Sequence, residues 1–184
     1  MNKLMLGALV AALHITPVVV LVKREDAVKR ILPEATQFSA REFHLSSPDA
    51  KRLKQAVDWK PQDDVVTFYT AASSGDSTVG ALTFVRVDSP HGPVEVAVGF
   101  ATDGSVRRVE VTKATVETKP WVLEALRAGL LGYYTGLADT ARPGGAAALK
   151  EKVGAMPEYF AGVIDQGVAR ALAAYRLFYR PSAA

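Results

Sequence analysis

The side chains of this chain that could do chemistry are few and widely separated. The three histidines, His14, His44 and His91, form no His-x-x-x-His pair and have no local carboxylate frame, which disfavours a zinc site. The absence of cysteine excludes disulfides, a thiolate nucleophile, thiolate-held iron–sulfur clusters and a CxxCH haem site. GxSxG, phosphate-loop and GxGxxG motifs are also absent. Nothing in the sequence therefore points to hydrolysis or group transfer, and we expect no complete catalytic site.

Two short segments remain as candidates for binding. Glu117 and Thr118 lie in a loop before a helix that begins near Pro120, and either could simply cap that helix by accepting backbone N–H bonds. The tetrad Val153-Gly154-Ala155-Met156 precedes a C-terminal helix whose apolar residues recur at helical spacing. None of its four side chains carries a nucleophilic oxygen, so the tetrad cannot form an ester bond.

The elements that would position these segments read as strands with flanking helices. Strands are predicted over 65–70, 80–87 and 94–100, and a fourth strand returns through Val109 and Val111 after the Asp-Gly turn at 102–105. Ser47-Pro48-Asp49 predicts a helix start, because it combines a hydroxyl cap, a proline at the first position and an acid in the first turn. The expected fold class is α+β, with an antiparallel sheet and packed helices.

The N-terminal segment from Leu4 to Val22 is apolar except for His14 and Thr16. A helix of about 19 residues just spans a hydrocarbon core, so we expect a transmembrane anchor over residues 1–24, kinked at Pro17, and one domain over 25–184. A cleaved signal peptide would show a small-x-small cleavage site, and a buried soluble helix would show a polar face. His14 is either functional within the span or a neutral imidazole that is hydrogen-bonded to a neighbouring helix or to a bound pigment or lipid.

The predicted hairpin, GPVEVAVGFATDGSVRRVEVTKATVETKP, and the helix after the tetrad resemble the FMN-binding domain family. This family includes the C subunit of sodium-pumping NADH:quinone oxidoreductases and the G subunit of Rnf complexes. Ile31–Phe38 is similar to the PeAxxF segment that follows the family's anchor. The family's Glu-Thr-Pro-Gly loop becomes Glu-Thr-Lys-Pro here, and its Ser-Gly-Ala-Thr attachment motif becomes Val-Gly-Ala-Met.

The resemblance implies a degenerate flavin site at Glu117, Thr118, Gly154, Ala155 and Met156. In the family, the threonine hydroxyl carries FMN through a phosphoester, and a thioether cannot form that bond. We therefore expect no covalent flavin, with non-covalent FMN as the alternative. Trp121, Tyr133 and Tyr134 could stack on a flavin ring or could be ordinary core aromatics.

The resemblance also implies a single-pass protein of the cell inner membrane with an extracytoplasmic, periplasmic domain. The basic residues Lys23, Arg24, Lys29 and Arg30 would by themselves place the domain in the cytoplasm. We expect an accessory, structural or docking subunit of a respiratory or photosynthetic electron-transfer complex, with other subunits and membrane lipid as partners. The alternatives are an electron carrier that binds FMN non-covalently and a membrane-tethered sensor or transport domain. A net charge of +3, spread along the chain, does not favour nucleic acid.

Overall fold

A computed structural model describes residues 16–75 and 77–179. Six antiparallel strands form one sheet in the order β1-β6-β5-β4-β3-β2. The predicted α+β class with an antiparallel sheet is confirmed. The strands are β1 (Val18–Val20), β2 (Gln37–His44), β3 (Val65–Ala72), β4 (Thr78–Val87), β5 (Val94–Phe100) and β6 (Val106–Thr115).

Helices occupy both faces of the sheet. They are α1 (Arg24–Ile31), α2 (Ser47–Val57), α3 (Lys119–Arg127), α4 (Gly145–Leu149) and α5 (Ala155–Ala174), and α5 runs on into a π-helical turn at Tyr175–Tyr179. The hydroxyl of Ser46 accepts the Asp49 N–H at 3.3 Å, so α2 begins with the expected kind of cap, one residue earlier than predicted. Short 3-10 helices cover Gln62–Asp64 and Leu130–Tyr134.

The hairpin of β5 and β6 is the centre of the fold. Val96, Val98, Val109 and Val111 are buried on the face that α3 and α5 cover, which is the alternation predicted from the sequence. The Asp-Gly turn is confirmed: Gly104 has a φ of 89°, and Oδ1 of Asp103 accepts the backbone N–H of Ser105 at 2.9 Å. These two strands and their turn thus follow from local patterning alone.

Helix α1 packs on the opposite face of the sheet. Ile31 and Leu32 are buried there with Ala97 and Leu82. A Cβ atom at Gly99 would overlap Cγ2 of Ile31, so this glycine lets the helix approach β5 closely. The first face carries the larger core, and α1 covers only part of the second face.

The predicted helix from Leu4 to Val22 is wrong at its C-terminal end. Val18–Val20 is a strand, and Val19 pairs with Ala114 at the free edge of β6. A valine run satisfies both a hydropathy window and the side-chain preferences of a strand, and here the open edge of β6 takes it. Leu4–Ile15 lies outside the described residues, and within 16–75 and 77–179 no helix is long and apolar enough to cross a membrane.

A charged cluster fastens α1 to the sheet. The guanidinium of Arg24 donates to Glu95 at 2.6 Å and 3.1 Å, and Glu95 also accepts from Thr112 at 2.8 Å and from Lys113 at 3.2 Å. Burial opposes ionisation of Glu95, but these hydrogen bonds outweigh it and hold the pKa of its carboxyl below the ordinary value of 4.5. The cluster is therefore fully formed only when Glu95 is ionised.

Replacing Glu95 with glutamine is expected to lower the free energy of unfolding by about 2 kcal/mol at neutral pH, because Arg24 and Lys113 lose the negative charge and one of the two acceptor oxygens that they share. A depressed folded-state pKa stabilises the fold above the ordinary value and loses that effect as pH falls through the folded-state pKa. The gap between wild type and variant should therefore close in acid, which urea unfolding across a pH series would measure. Glu42→Gln, on the exposed strand β2, is the matched control. A gap that persists in strong acid would contradict this account.

Candidate functional site

Thr118 is turned into the protein. It is fully buried at the end of the β6–α3 loop, and its Oγ1 accepts the Thr115 N–H at 3.0 Å and bonds the Thr115 hydroxyl at 2.9 Å. It is the N-cap residue of α3, but its side chain makes no cap hydrogen bond to the helix. Thr118 therefore lies at the cap position, as predicted, but its hydroxyl does not bond to the helix. It bonds to Thr115 at the end of β6 instead.

Glu117 is exposed and faces a histidine that the sequence did not connect to it. Its Oε1 lies 3.7 Å from Nδ1 of His91, in the loop between β4 and β5. Ser89 shapes that loop, because its hydroxyl accepts the His91 N–H at 3.3 Å and donates to the Gly92 carbonyl at 2.8 Å. Gly92 has a φ of 107°, and a Cβ there would overlap Cγ2 of Thr115. The loop is therefore seated firmly on the end of β6.

The tetrad Val153-Gly154-Ala155-Met156 leads into α5, whose first residue is Ala155. Gly154 is the N-cap residue, with extended backbone and no side-chain cap, and both it and Ala155 are exposed. Met156 is half-buried and packs against the main core. Of the three, only Met156 thus has a packing role.

Four aromatic side chains pack together beside the two predicted segments, and we call them the ring cluster: His91, Trp121, Tyr159 and Phe160. His91 has ring centroids 6.0 Å from Trp121, 5.9 Å from Tyr159 and 6.2 Å from Phe160. Trp121 and Phe160 stack with centroids 5.8 Å apart and an interplanar angle of 13°. Since His91 also faces Glu117, the structure brings the β6–α3 loop and the first turns of α5 to the same end of the domain.

The remaining aromatic candidates lie apart from the ring cluster. Tyr134 is a buried core residue whose hydroxyl donates to Asp165 at 2.9 Å, and burial raises the pKa of this phenol. Tyr133 is 44% exposed, and its hydroxyl accepts a bond from Lys152 at 2.9 Å. Trp121 is thus the one aromatic of the three predicted for stacking that reaches His91.

His91 was missed because no local pattern marks it as more than part of a turn. One signal could have found it: in an antiparallel β4-β5-β6 meander, the β4–β5 loop and the C-terminal end of β6 lie at the same end of the strands. His44 ends the exposed edge strand β2, and His14 lies outside the described residues. Within 16–75 and 77–179, no group of three or more His, Asp or Glu side chains could hold a metal ion.

A shallow cavity of about 390 Å³ adjoins the ring cluster on the outer face of α5. It is lined by Ala146 of α4 and by Ala155, Tyr159 and Gly162 of α5, among others. Its walls combine small, apolar and aromatic side chains, which suit contact with a flat group, with the polar side chains of Glu158 and Gln166. The site as a whole offers rings and one exposed carboxylate–imidazole pair, which can bind but include no activated nucleophile.

No protein-family model and no curated protein matches this chain. The likeness to FMN-binding domains therefore rests on sequence patterns alone: the hairpin with its Glu-Thr loop, Ile31–Phe38, and the tetrad with the helix after it.

Proposed function

We propose that this chain is an accessory docking subunit of a respiratory or photosynthetic membrane electron-transfer complex, with no covalently attached flavin. One observation supports the proposal: at the end of the domain where the two flavin-like segments lie, the contacts are made by the protein's own rings. Trp121 and Phe160 stack there, and the thioether of Met156 packs against the core in place of a hydroxyl. An end of the domain that resembles a cofactor site thus becomes a contact surface.

The surface around the ring cluster has the composition of a protein interface. Val116 is 55% exposed and Tyr159 is 40% exposed, and the exposed charged residues Glu117 and Lys119 follow Val116 in the chain. Aromatic and apolar groups with a polar rim are typical of surfaces that bind other proteins. The partners that we propose are other subunits of the complex.

The proposed location is the cell inner membrane, with the domain on the periplasmic side. The apolar segment Leu4–Ile15 directly precedes the described chain, and the Pro17 carbonyl accepts the Val116 N–H at 2.9 Å beside the proposed contact surface. As a helix, that segment would be about 18 Å long, which is less than the hydrocarbon core of about 30 Å. We therefore propose that it attaches alongside partner subunits, as short segments do when they associate in a bilayer.

An electron carrier with non-covalent FMN is the alternative function. The observation that favours it is the cavity beside Ala155 and Tyr159, because it lies where the resemblance places the flavin. Tyr159 would then stack on the flavin ring.

The full-length protein is expected to leave the membrane in mild detergent as part of a larger assembly and to show no flavin fluorescence in a denaturing gel. Native electrophoresis followed by denaturation measures both. Replacing Val116 and Tyr159 together by serine should release the protein from the assembly, because both side chains are exposed and the change removes apolar contact surface. Tyr133→Ser, at an exposed tyrosine outside the ring cluster, is the matched control.

Each other outcome has a distinct meaning. Migration of the wild-type protein alone would contradict the docking role. Visible flavin absorbance in the native protein that separates from the polypeptide on denaturation would establish the non-covalent carrier, and a fluorescent peptide of this chain would overturn the loss of covalent attachment.

A further inference from the structure

The sheet is split between β3 and β4. The β3–β4 ladder ends at the pair Phe68 and Thr83, while β3 stays paired with β2 as far as Val65 and β4 stays paired with β5 as far as Val87. Beyond the end of the ladder, side chains supply hydrogen bonds: the Thr67 carbonyl accepts from Thr83 Oγ1 at 2.8 Å. The two strands therefore diverge and leave a gap in the middle of the sheet.

A cavity of about 690 Å³ lies in this gap, and we call it the split-sheet cavity. Val65 and Phe84 line it from the two diverging strands, Trp59 from the segment after α2, and Arg170 from α5. A second cavity of about 300 Å³ shares Trp59, Val65 and Phe84 with it. The volume lies in the range of sites for small organic ligands, and the lining sets two aromatic rings, those of Trp59 and Phe84, among charged and polar side chains.

Arg170 is the charged group in the cavity whose hydrogen bonds are incomplete. It is half-buried, its Nη1 donates to the Arg86 carbonyl at 3.2 Å, and its Nε has no hydrogen-bond partner in the described part of the chain. Burial lowers the pKa of Arg170, although Asp88 and Asp58 oppose this shift. A buried N–H of a guanidinium without an acceptor is costly, so an incoming anionic oxygen would be stabilised there.

The other charged side chains of the cavity are already paired. Arg86 Nε lies 2.9 Å from Asp88, Lys60 lies 3.7 Å from Asp64, and Asp58 is bound by Lys54. No ion pair of the described residues includes Arg170, which leaves one cationic group for a ligand. A monoanion would balance the single positive charge of Arg170. A dianion such as a phosphate monoester would bring a second negative charge with no unpaired cation beside it, and the carboxylates of Asp58 and Asp88 would repel that charge.

We propose that the split-sheet cavity binds a small aromatic carboxylate, with its ring against Trp59 and Phe84 and its carboxylate on Arg170. This site is independent of the docking role, because Arg170 lies about 22 Å along α5 from Ala155, at 1.5 Å per residue. A guanidinium and a carboxylate can form two parallel charge-assisted hydrogen bonds, and the aromatic walls select a flat ligand.

The test uses 2-naphthoate as the probe, titrated into the full-length protein by calorimetry. Saturable binding is expected, and the neutral analogue 2-naphthalenemethanol should bind at least about 10-fold more weakly because it lacks the charge. Arg170→Met keeps the apolar stem of the side chain, removes the cation and should weaken binding of the acid about 10- to 100-fold. Trp59→Leu should weaken the acid and the alcohol alike, because it removes ring contacts only.

Arg52→Met, on the exposed surface of α2, is the matched control and should bind 2-naphthoate like the wild type. Thermal unfolding of each variant checks that it folds, and Arg170→Lys, which restores the charge, should recover part of the affinity. Absence of saturable binding, equal affinity for the neutral analogue, or wild-type affinity in folded Arg170→Met would each overturn the proposal.

Discussion

Replacing Asp165 with alanine is expected to lower the free energy of unfolding by about 3–5 kcal/mol. The Asp165 carboxylate accepts the Tyr134 hydroxyl and the backbone N–H groups of Gly145 and Ala146, each at 2.9 Å. It thereby caps α4 from a different helix and joins α5 to the chain before it. Alanine would leave the buried Tyr134 hydroxyl and two helix N–H groups without their acceptor, and an unmade bond in a buried site costs more than a made one contributes.

Chemical denaturation of purified variants measures this loss. Asp165→Asn should cost about half as much as the alanine change, because the amide keeps one carbonyl oxygen and loses the charge. Gln166→Ala, at the exposed neighbouring position, should stay within about 0.5 kcal/mol of the wild type. A loss below about 1 kcal/mol for Asp165→Ala would show that water replaces the carboxylate.

Replacing Phe68 with alanine is the second large effect, with an expected loss of about 3–5 kcal/mol. Phe68 has no exposed surface, and its ring centroid lies 6.0 Å from Phe43, 6.3 Å from Phe100 and 5.4 Å from Tyr179. The change removes a large apolar side chain from the main core and leaves a cavity where β3 meets the end of α5. Urea unfolding would report the loss as a lower midpoint with an unchanged slope.

Phe38 provides a matched control for this change. It lies on the neighbouring strand β2 and is 45% exposed, so Phe38→Ala removes the same atoms from a surface that water already reaches. Its expected cost is below about 1 kcal/mol. Equal losses at the two positions would contradict the assignment of Phe68 to the core.

The hairpin of β5 and β6 could be predicted because every signal for it is local. Val96 and Val98 alternate with side chains on the other face, and Asp103-Gly104 supplies the turn. The start of α2 could be predicted for the same reason, since a hydroxyl residue, a proline and an acid are adjacent in the sequence. Short-range patterning therefore accounts for the centre of the sheet and for the start of α2.

The two outer strands could not be predicted, because what defines them is their partner. Val18–Val20 is as apolar as a membrane segment, and only the free edge of β6 makes it a strand. Strand β2 escaped prediction for the opposite reason, since most of its residues are exposed and its sequence is largely polar. Pairing of β2 with all eight residues of β3 outweighs that polarity.

In the candidate site, too, the features set by local sequence could be predicted and those set by contacts between distant segments could not. The tetrad was correctly placed before a long helix, because Phe160 and Ile164 recur at helical spacing and are buried on one face. The contact between Glu117 and His91 depends on loops 26 positions apart in the chain that meet only when β4, β5 and β6 assemble. Thr118 turned inward because its hydroxyl satisfies backbone groups of β6, a demand that only the folded loop reveals.

The short strand β1 leaves no slack at the start of the domain. The Pro17 carbonyl is already bonded to Val116, and the next three residues are held in register with β6. Val116 also begins the β6–α3 loop, so the chain enters the sheet beside Glu117. A partner that holds the residues before Pro17 would therefore meet the domain at the end that carries the ring cluster. The length of chain between that partner and the sheet would set their spacing, and inserting residues before Pro17 would increase it.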